Sequence, residues 1–285
     1  MNCIADFFQI WIKDILLYPY HLYKLKKIKR ADITSQRKEI KNDIIYIGIH
    51  EWGGYPQVRE KKVKNVKPFV CGLKYQLERF KKDKVQFPIN LTITMSDIEK
   101  YKDAESLKSL CDNFISVPNL GMDFSGYSAF FNSIRNKDNA YVILTNTSVN
   151  EKIDCFLLDY INYMEKNKDV GILGISCSSK YYHTLVRNNF NPHLQSFFLL
   201  TTIDVLRQIV ELNNGEFPGV KQANKHLLIR NGEVKLSRLA LELGYNLAIV
   251  NENGETVKFN YKSYPMPKGD LRIKSKFPNR INPIK

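Results

Sequence analysis

The sequence lacks the cysteine pattern of a disulfide-bonded or zinc-binding protein. Its five cysteines are scattered over 285 residues, with no C-x-x-C pair and no cysteine–histidine cluster at zinc spacing. Several stand inside apolar runs, so we expect reduced, buried thiols in a cytosolic protein. The five are Cys3, Cys71, Cys111, Cys155 and Cys177.

A long apolar run is also missing. No segment approaches the roughly twenty consecutive apolar residues that a membrane-spanning helix needs. The apolar stretch at the N-terminus is interrupted by Asp6, Lys13 and Asp14, and no small-residue cleavage site follows it. A secretory signal peptide is therefore not expected. These observations predict a protein that stays in the cytoplasm.

Several fingerprints of nucleotide-binding and hydrolytic enzymes do not occur. Without a GxGxxG or a GxxxxGK[ST] pattern, the chain shows neither a dinucleotide-binding Rossmann motif nor a P-loop. Without HExxH or a catalytic serine elbow, it shows no sign of a zinc protease or an α/β-hydrolase. Any chemistry must therefore depend on other loops.

Acidic residues are few compared with basic ones. The chain has 43 lysines and arginines against 29 aspartates and glutamates, a formal net charge of +14. This excess indicates a polyanionic partner such as nucleic acid, an anionic membrane or a phosphorylated ligand. A solvated, lysine-rich surface is the alternative interpretation. Hydrophobic residues make up 44% of the chain, which is ordinary for a protein with a packed core.

The N-terminal segment, residues 1–40, is predicted to contain an amphipathic helix from residue 2 to about residue 30. Apolar side chains recur there at helical spacing and are followed by aromatic residues and a lysine cluster. Such a helix fits an anionic membrane surface, or it packs on the domain as a terminal helix. The apolar positions are Ile4, Phe7, Phe8, Trp11, Ile12, Ile15 and Leu16.

Residues 41–255 alternate between short β-branched apolar runs and helical patterns. This alternation predicts one α/β domain with a doubly wound, mostly parallel sheet flanked by helices. In such sheets ligands bind beyond the carboxyl ends of the strands. Strands are expected at 44–49, 89–95, 114–117, 141–144, 170–175, 196–200 and 247–250, and helices at 68–82, 103–112, 129–134 and 152–166.

Residues 256–285 carry many lysines and arginines, several prolines and little apolar periodicity. We interpret them as a basic C-terminal extension that wraps the domain or meets phosphates. A partly ordered, solvated tail is the alternative.

Polar loops follow several of the predicted strands. Residues 118–126 read PNLGMDFSG, residues 145–149 read TNTSV, and residues 231–238 read NGEVKLSR, followed by LGYNL at 243–247. Each loop alone carries little information, because asparagine and glycine are common in turns. Their order along the chain is more informative.

In this order the loops resemble those of bacterial glycosyltransferases with the GT-A fold, which has a single Rossmann-like nucleotide-sugar-binding domain. They resemble in particular the rhamnan-synthesis and O-antigen group related to the inverting family 2, over roughly residues 43–250. Residues 119–123 resemble that group's Asn-x-Gly loop, residues 145–149 stand at its acidic DxD turn, and residues 233–238 resemble its last acidic motif. Residues 192–198, PHLQSFF, resemble its His-Leu-Gln-Ser segment.

The resemblance implies an inverting hexosyltransferase that uses a nucleotide-sugar donor. Its acceptor would be a lipid-linked glycan or a polysaccharide of bacterial lipopolysaccharide O-antigen or capsule biosynthesis. It further implies a peripheral protein on the inner face of the cytoplasmic membrane, with other glycosyltransferases as further partners and no nucleic acid.

The resemblance also assigns roles to individual residues. Glu233 is the expected general base, although a glutamate near a helix start also interacts favourably with the helix dipole. Asp97 is expected at the nucleobase or ribose, or else as a helix N-cap. Trp52 and Tyr55 are candidates for stacking or ordinary packing. The remaining donor-site candidates are His50, Glu51, Asn119, Gly121, Asp123, Asn146 and Ser148, and those for the acceptor or the diphosphate are His193, Gln195 and Arg238.

One departure from the family pattern concerns the metal. At the DxD position this chain has Asn146-Thr147-Ser148, which contains no carboxylate. A divalent cation that bridges a diphosphate requires at least one carboxylate ligand. We therefore expect lysine, arginine and backbone N–H groups to neutralise the diphosphate. The alternative is that Asp123, which lies in another loop, holds a metal ion.

Two other functions remain open. A basic nucleic-acid-binding protein would fit the charge, but no known RNA- or DNA-binding module is present. A catalytically inactive GT-A-like partner subunit would fit the missing DxD motif.

Overall fold

The computed structural model describes residues 34–83, 87–102, 104–180, 190–263 and 270–285, together with residues 12, 16, 19 and 23. The helix predicted over residues 2–30 lies outside the described residues, apart from these four single positions, which are helical. No helix in the described ranges is long and apolar enough to cross a membrane.

The domain is built on an eight-stranded sheet with the strand order β12-β11-β7-β10-β6-β1-β4-β5. β1 pairs in parallel with β4 and β6, β4 with β5, and β7 with β11, whereas β10 and β12 run antiparallel to their neighbours. The predicted α/β class with a mostly parallel sheet is therefore confirmed. The strands of this sheet are β1 (Ile45–Trp52), β4 (Ile89–Ser96), β5 (Asn113–Val117), β6 (Tyr141–Asn146), β7 (Val170–Gly174), β10 (Phe198–Thr202), β11 (Asn246–Val250) and β12 (Thr256–Phe259).

Two hairpins extend from the sheet, β2 (Arg59–Val63) with β3 (Val66–Cys71), and β8 (Cys177–Lys180) with β9 (Phe190–Leu194). The helices are α1 (Leu73–Asp83), α2 (Ala104–Lys108), α3 (Asp123–Ile134), α4 (Leu157–Lys166), α5 (Ile203–Leu212), α6 (Lys225–Leu228), α7 (Lys235–Glu242) and α8 (Leu271–Lys274). A 3₁₀ turn spans Ile98–Lys100 and a π-helical turn spans Ile229–Val234.

Helices cover both faces of the sheet because successive strand residues point to opposite sides. In β6, Val142 and Leu144 pack with α3, α5 and α7, while Tyr141 and Ile143 pack with α1 and α4. All six residues of β6 are buried, as expected for a central strand between two helical layers. Because helices cover both faces of the sheet, the polar loops gather at the ends of the strands.

Gly48 in the middle of β1 allows α3 to lie close to the sheet. A Cβ atom at this position would stand 2.2 Å from Cδ1 of Phe130, which is fully buried. We expect Gly48→Ala to destabilise the fold by about 1–3 kcal/mol through overpacking, measured by urea unfolding. Exposed Ser133→Ala on the same helix should change stability by at most about 0.5 kcal/mol. A neutral Gly48→Ala would contradict this close packing.

Helices α6 and α7 form one continuous helix with the π-helical turn between them. The N–H of Lys235 donates to the carbonyl of Arg230, five residues earlier, in place of the usual four. Gly232 lies in this wide turn, where a Cβ would come within 2.6 Å of the Phe124 ring. The turn therefore places Glu233 close to the start of α3.

The predicted helix over 68–82 is wrong in its first part. Residues up to Cys71 belong to β3, and the helix begins only at Leu73. Predicted boundaries elsewhere also shift: α3 begins earlier than expected at Asp123, α2 is shorter than 103–112, and the strand predicted at 196–200 begins at Phe198.

The segment 256–285 is integrated into the domain over its described residues. β12 forms an edge strand beside β11, and Phe259 and Ile281 are buried in the two halves of the core. The Tyr160 hydroxyl donates to the carbonyl of Asn282 at 3.0 Å. The described part of this segment therefore packs against the domain.

Candidate functional site

An open pocket of about 240 Å³ lies at the carboxyl edge of the parallel strands. β1 and β6 end here side by side, with His50 opposite Asn146. Because β10 is antiparallel to β6, the loop that precedes Phe198 reaches the same edge. The polar side chains that line the pocket are Lys61, Asp123, Asn146, Ser148, Ser196, Lys225, Glu233 and Arg272.

Glu233 presents a carboxylate to this pocket from the π-helical turn. Its Oε1 accepts hydrogen bonds from the Ser196 N–H at 3.0 Å and from the Ser196 hydroxyl at 2.7 Å. No described residue donates to Oε2. One oxygen is thus fixed by the loop before β10, and the other is available to a ligand proton.

Asp123 and the loop after β6 form the opposite wall. The Asn146 side-chain amide donates to Asp123 Oδ2 at 2.7 Å, and the backbone N–H of Ser148 donates to Asn146 Oδ1 at 2.8 Å. The Lys61 ammonium, contributed by β2, donates to the Ser148 hydroxyl. The loop after β6 thus presents an amide and a hydroxyl with internal partners, and no carboxylate, to the pocket.

The backbone just before α3 is strained. Met122 has φ 47° and ψ −127°, a conformation that residues with a side chain rarely adopt. Such conformations cost about 1–3 kcal/mol and occur preferentially at functional sites. Gly121 beside it packs against main chain, since a Cβ would stand 2.5 Å from the carbonyl oxygen of Val220. Gly121 thus lies next to the pocket but serves packing rather than ligand approach.

Glu51 lies beneath the pocket in a buried ionic network. Its Oε2 is 3.1 Å from Nη1 of Arg59, and its Oε1 accepts from the Thr147 hydroxyl at 2.7 Å. Arg59 also donates to the Thr147 hydroxyl at 2.7 Å. Burial raises the pKa of Glu51, and the Arg59 charge and the Thr147 hydrogen bond act in the opposite direction. This network joins the β2–β3 hairpin to the loop after β6.

His50 is also buried below the pocket. Its Nδ1 lies 3.1 Å from the hydroxyl of Thr94, and a Cβ on Gly126 would fall 2.1 Å from that nitrogen. Burial lowers the pKa of His50, while the negative charge of Asp123 raises it. His50 and Glu51 are therefore part of the support beneath the pocket and do not line it.

A second polar cluster occupies the ends of β1, β4 and β5. Asp97 Oδ2 accepts from Trp52 Nε1 at 2.7 Å and from Asn119 Nδ2 at 3.4 Å, and forms an ion pair with Lys100 at 2.8 Å. The Lys100 and then the Trp52 hydrogen bonds hold the pKa of Asp97 below its usual value. Asp97 stands at the N-cap position of the 3₁₀ turn that follows β4, as the alternative interpretation expected, but its carboxylate makes no capping hydrogen bond.

Tyr55 extends this cluster towards solvent. The rings of Trp52 and Tyr55 meet edge to face with centroids 4.8 Å apart, and Tyr55 is 44% exposed. The guanidinium carbon of Arg59 lies 3.9 Å from the centre of the Tyr55 ring. The partly exposed Tyr55 ring is thus joined to the carboxylate of Asp97 through Trp52.

The three residues expected at the acceptor or diphosphate fall in different places. Gln195 accepts from the Ser176 hydroxyl at 2.6 Å and donates to Asp270 at 3.3 Å. His193 is buried in the β8–β9 hairpin, and Arg238 pairs with Glu242 at 3.3 Å on α7. The structure brings none of the three into the lining of the pocket.

Several residues of the pocket were not predicted from the sequence as site residues. Lys61 lies on an unpredicted hairpin, and Arg272 comes from the C-terminal segment. Ser196 falls in a predicted strand and in the segment that resembles the His-Leu-Gln-Ser motif, where it has no predicted role of its own. The signal for Lys61 was the Lys64-Asn65 pair, a two-residue turn in which Asn65 adopts φ 62°. No local pattern distinguishes Arg272 from its basic neighbours.

The fold and the pocket together define an α/β protein with a charged cleft at the carboxyl ends of parallel strands. Comparison of the sequence with protein-family models gave no match, and no curated protein matches it.

Proposed function

We propose that the protein is an inverting glycosyltransferase of the GT-A type that uses a nucleotide-sugar donor. The observation that carries the proposal is the pocket in which Glu233, Asp123, Lys61 and Arg272 converge at the strand ends. Parallel α/β sheets bind ligands at this edge. A carboxylate opposite cationic groups suits a reaction in which an acceptor loses a proton and a phosphate leaves.

Glu233 is the proposed general base. In the transfer, the acceptor hydroxyl oxygen forms a bond to the anomeric carbon while the bond from that carbon to the diphosphate oxygen breaks. The hydroxyl proton passes to Glu233 Oε2, and the electron pair of the broken bond stays on the diphosphate. The two hydrogen bonds from Ser196 to Oε1 fix the orientation of the carboxylate.

The second polar cluster is the proposed site of the nucleoside. Asp97 can accept hydrogen bonds from ribose hydroxyls, and the exposed ring of Tyr55 offers a stacking surface. Asn119 belongs to this cluster and follows β5, whereas Asn146 ends β6 and lines the pocket. Support for this arrangement comes from the strand order, since β5, β4, β1 and β6 are consecutive in the sheet.

The proposed acceptor is a lipid-linked glycan or a polysaccharide of a bacterial surface glycan, such as O-antigen or capsule. A lipid-linked acceptor would place the protein on the inner face of the cytoplasmic membrane. The net charge of +14 supports attachment to an anionic surface. Other glycosyltransferases of the same pathway are proposed partners.

We expect one nucleoside diphosphate sugar from a panel to raise the melting temperature by on the order of 5 °C at about 100 times its Kd. A ligand that binds only the folded state stabilises it by mass action. The measurement is a thermal-shift series, followed by an assay of released nucleoside diphosphate with a glycan acceptor.

The same series separates the two rival functions. An inactive GT-A-like partner, which the carboxylate-free Asn146-Thr147-Ser148 turn favours, would bind a nucleotide sugar without turnover. Salt-sensitive stabilisation by oligonucleotides, with no response to any nucleotide sugar, would replace the proposal by nucleic-acid binding.

A further inference from the structure

We propose that Lys61 and Arg272 form an anion site that binds a diphosphate without a divalent metal ion. Assigning this diphosphate to a sugar donor rests on the proposed function, whereas the anion site itself follows from the charges in the pocket. Both residues line the same cavity of about 240 Å³ as Asp123 and Glu233. They come from distant parts of the chain, one from β2 and one from α8.

Lys61 is a partly buried cation without a carboxylate partner. Its ammonium donates to the Ser148 hydroxyl, and no described carboxylate lies within ion-pair distance of it. Burial lowers the pKa of Lys61, and the charge of Asp123 is the main influence that raises it. Buried charges are normally paired, so this ammonium has electrostatic capacity for an anionic ligand.

The neighbouring lysine shows the contrast. Lys62 on the same strand forms an ion pair with Glu60 at 3.1 Å, and its side chain is 76% exposed. The alternation of β2 therefore directs Lys61 into the pocket and Lys62 to solvent. Lys62 is a matched control for Lys61.

Arg272 is held in place by a chain of polar contacts. Asp270 Oδ2 lies 2.7 Å from Nη2 of Arg272, and Gln195 donates to the same carboxylate at 3.3 Å. Ser176 in turn donates to Gln195 at 2.6 Å. The guanidinium carbon lies 5.9 Å from the centre of the Phe197 ring. Gln195 is thus a positioning residue for Arg272, and a planar guanidinium fixed in this way suits phosphate oxygens.

The donor set at the strand end does not fit a divalent ion. Asn146 Oδ1 already accepts from Ser148, and Asp123 Oδ2 already accepts from Asn146. The Asp123 carboxylate already interacts electrostatically with the Lys61 ammonium. Within the described ranges, no group of three histidine, cysteine, aspartate or glutamate side chains is arranged to hold a metal ion. The ammonium of Lys61 supplies the positive charge that Mg²⁺ or Mn²⁺ would otherwise bring.

The test is isothermal titration calorimetry of the full chain, which gives the Kd for inorganic pyrophosphate and for the common nucleoside diphosphates. Each titration is run in EDTA and in Mg²⁺. We expect binding that persists in EDTA. Lys61→Met, which keeps most of the length of the side chain and removes its charge, should weaken binding by about 10–100-fold, as for the loss of a hydrogen bond to a charged group. Arg272→Met should weaken binding by a similar factor. Lys62→Met should leave the Kd within about twofold of the wild type, because an exposed charge outside the pocket contributes little.

Two results would overturn the anion site: wild-type affinity in both Lys61→Met and Arg272→Met, or wild-type binding that EDTA abolishes and Mg²⁺ restores. If Lys61→Met fails to fold, as circular dichroism would show, Arg272→Met decides the question. The outcome is separable from the proposed function. Charge-dependent pyrophosphate binding without sugar transfer would retain the site and reject the transferase. Sugar transfer at the wild-type rate in both variants would retain the transferase and reject the anion site.

Discussion

Replacing Glu233 by glutamine is expected to lower the rate of sugar transfer by about 10²-fold or more, with little change in donor affinity. Glutamine keeps the shape of the side chain, and its carbonyl oxygen can still accept both hydrogen bonds from Ser196. The variant loses only the ability to take the acceptor proton. The measurement is kcat with a saturating nucleotide sugar, together with the Kd of the donor.

Glu242→Gln is the matched control for this prediction. Glu242 is on α7, downstream of Glu233 in the same continuous helix, and pairs with Arg238 outside the pocket. Its replacement should leave turnover within about twofold and cost at most about 1 kcal/mol of stability. Near-normal turnover in Glu233→Gln would reject the assignment, and Asp123, the other carboxylate of the pocket, would become the candidate base.

Replacing Arg59 by methionine is expected to cost about 3–5 kcal/mol of folding free energy at pH 7. Arg59 is the only described cation paired with Glu51, whose side chain is 1% exposed. Removal of one partner leaves a buried charge without compensation, which is more costly than the net contribution of the intact pair. Urea unfolding measures the loss, and Lys62→Met, which breaks the exposed pair with Glu60, should cost less than about 1 kcal/mol.

The cost of Arg59→Met should depend on pH. Burial raises the pKa of Glu51 above its ordinary value of 4.5, so the folded state binds the Glu51 proton more tightly than the unfolded state. The contribution of Glu51 to stability is therefore lost as the pH rises from about 4.5 through the folded-state pKa. Without Arg59 this pKa rises further, so the variant should be less destabilised near pH 5 than at pH 7.

The double variant Glu51→Gln/Arg59→Met tests the origin of this effect. It removes both charges, so it should recover much of the stability that Arg59→Met alone loses and should show a weaker pH dependence. A double variant as unstable as Arg59→Met at all pH values would show that the packing of Arg59 on Tyr55 dominates.

The sequence predicted the parallel part of the sheet well because those strands are short apolar runs or, in β4, apolar residues that alternate with polar ones. β1, β4, β6 and β11 were each located to within a few residues, and the polar loops after β1, β4 and β6 meet at one edge, as expected for parallel neighbours. Asp123, Asn146, Ser148 and Glu233, which were predicted separately, line one pocket. For Asp123, Asn146 and Ser148, which stand after or at the end of β5 and β6, this clustering follows from strand direction.

The β2–β3 hairpin was not predictable from periodicity. Its strands are rich in lysine, and its own apolar cluster consists only of Val66, Phe69, Cys71 and the half-buried Val63. The hairpin is instead joined to the domain by polar contacts, among them the ion pair of Arg59 with Glu51 and the hydrogen bond from the Glu151 N–H to the Val70 carbonyl. Patterns of hydrophobicity carry no signal for such contacts.

The hydrogen bonds between Ser196 and Glu233 could likewise not be predicted from the sequence. They depend on the antiparallel direction of β10 and on the π-helical turn, and neither has a simple sequence signature. The Gln195–Asp270–Arg272 chain spans 75 residues between its first two members, so only the tertiary fold reveals it.

The π-helical turn also has a consequence for insertions and deletions. A turn closed over five residues holds one residue more than an α-helical turn, so the loss of a residue between Ile229 and Val234 can be absorbed by tightening the helix. Both flanking helices, α6 and α7, would keep their buried faces. The deletion would instead displace the carboxylate of Glu233, because the wide turn sets its position relative to Ser196. The loss of one residue in this turn would therefore preserve the fold and impair the proposed role of Glu233. A protein shortened in this way would keep the domain as a binding protein.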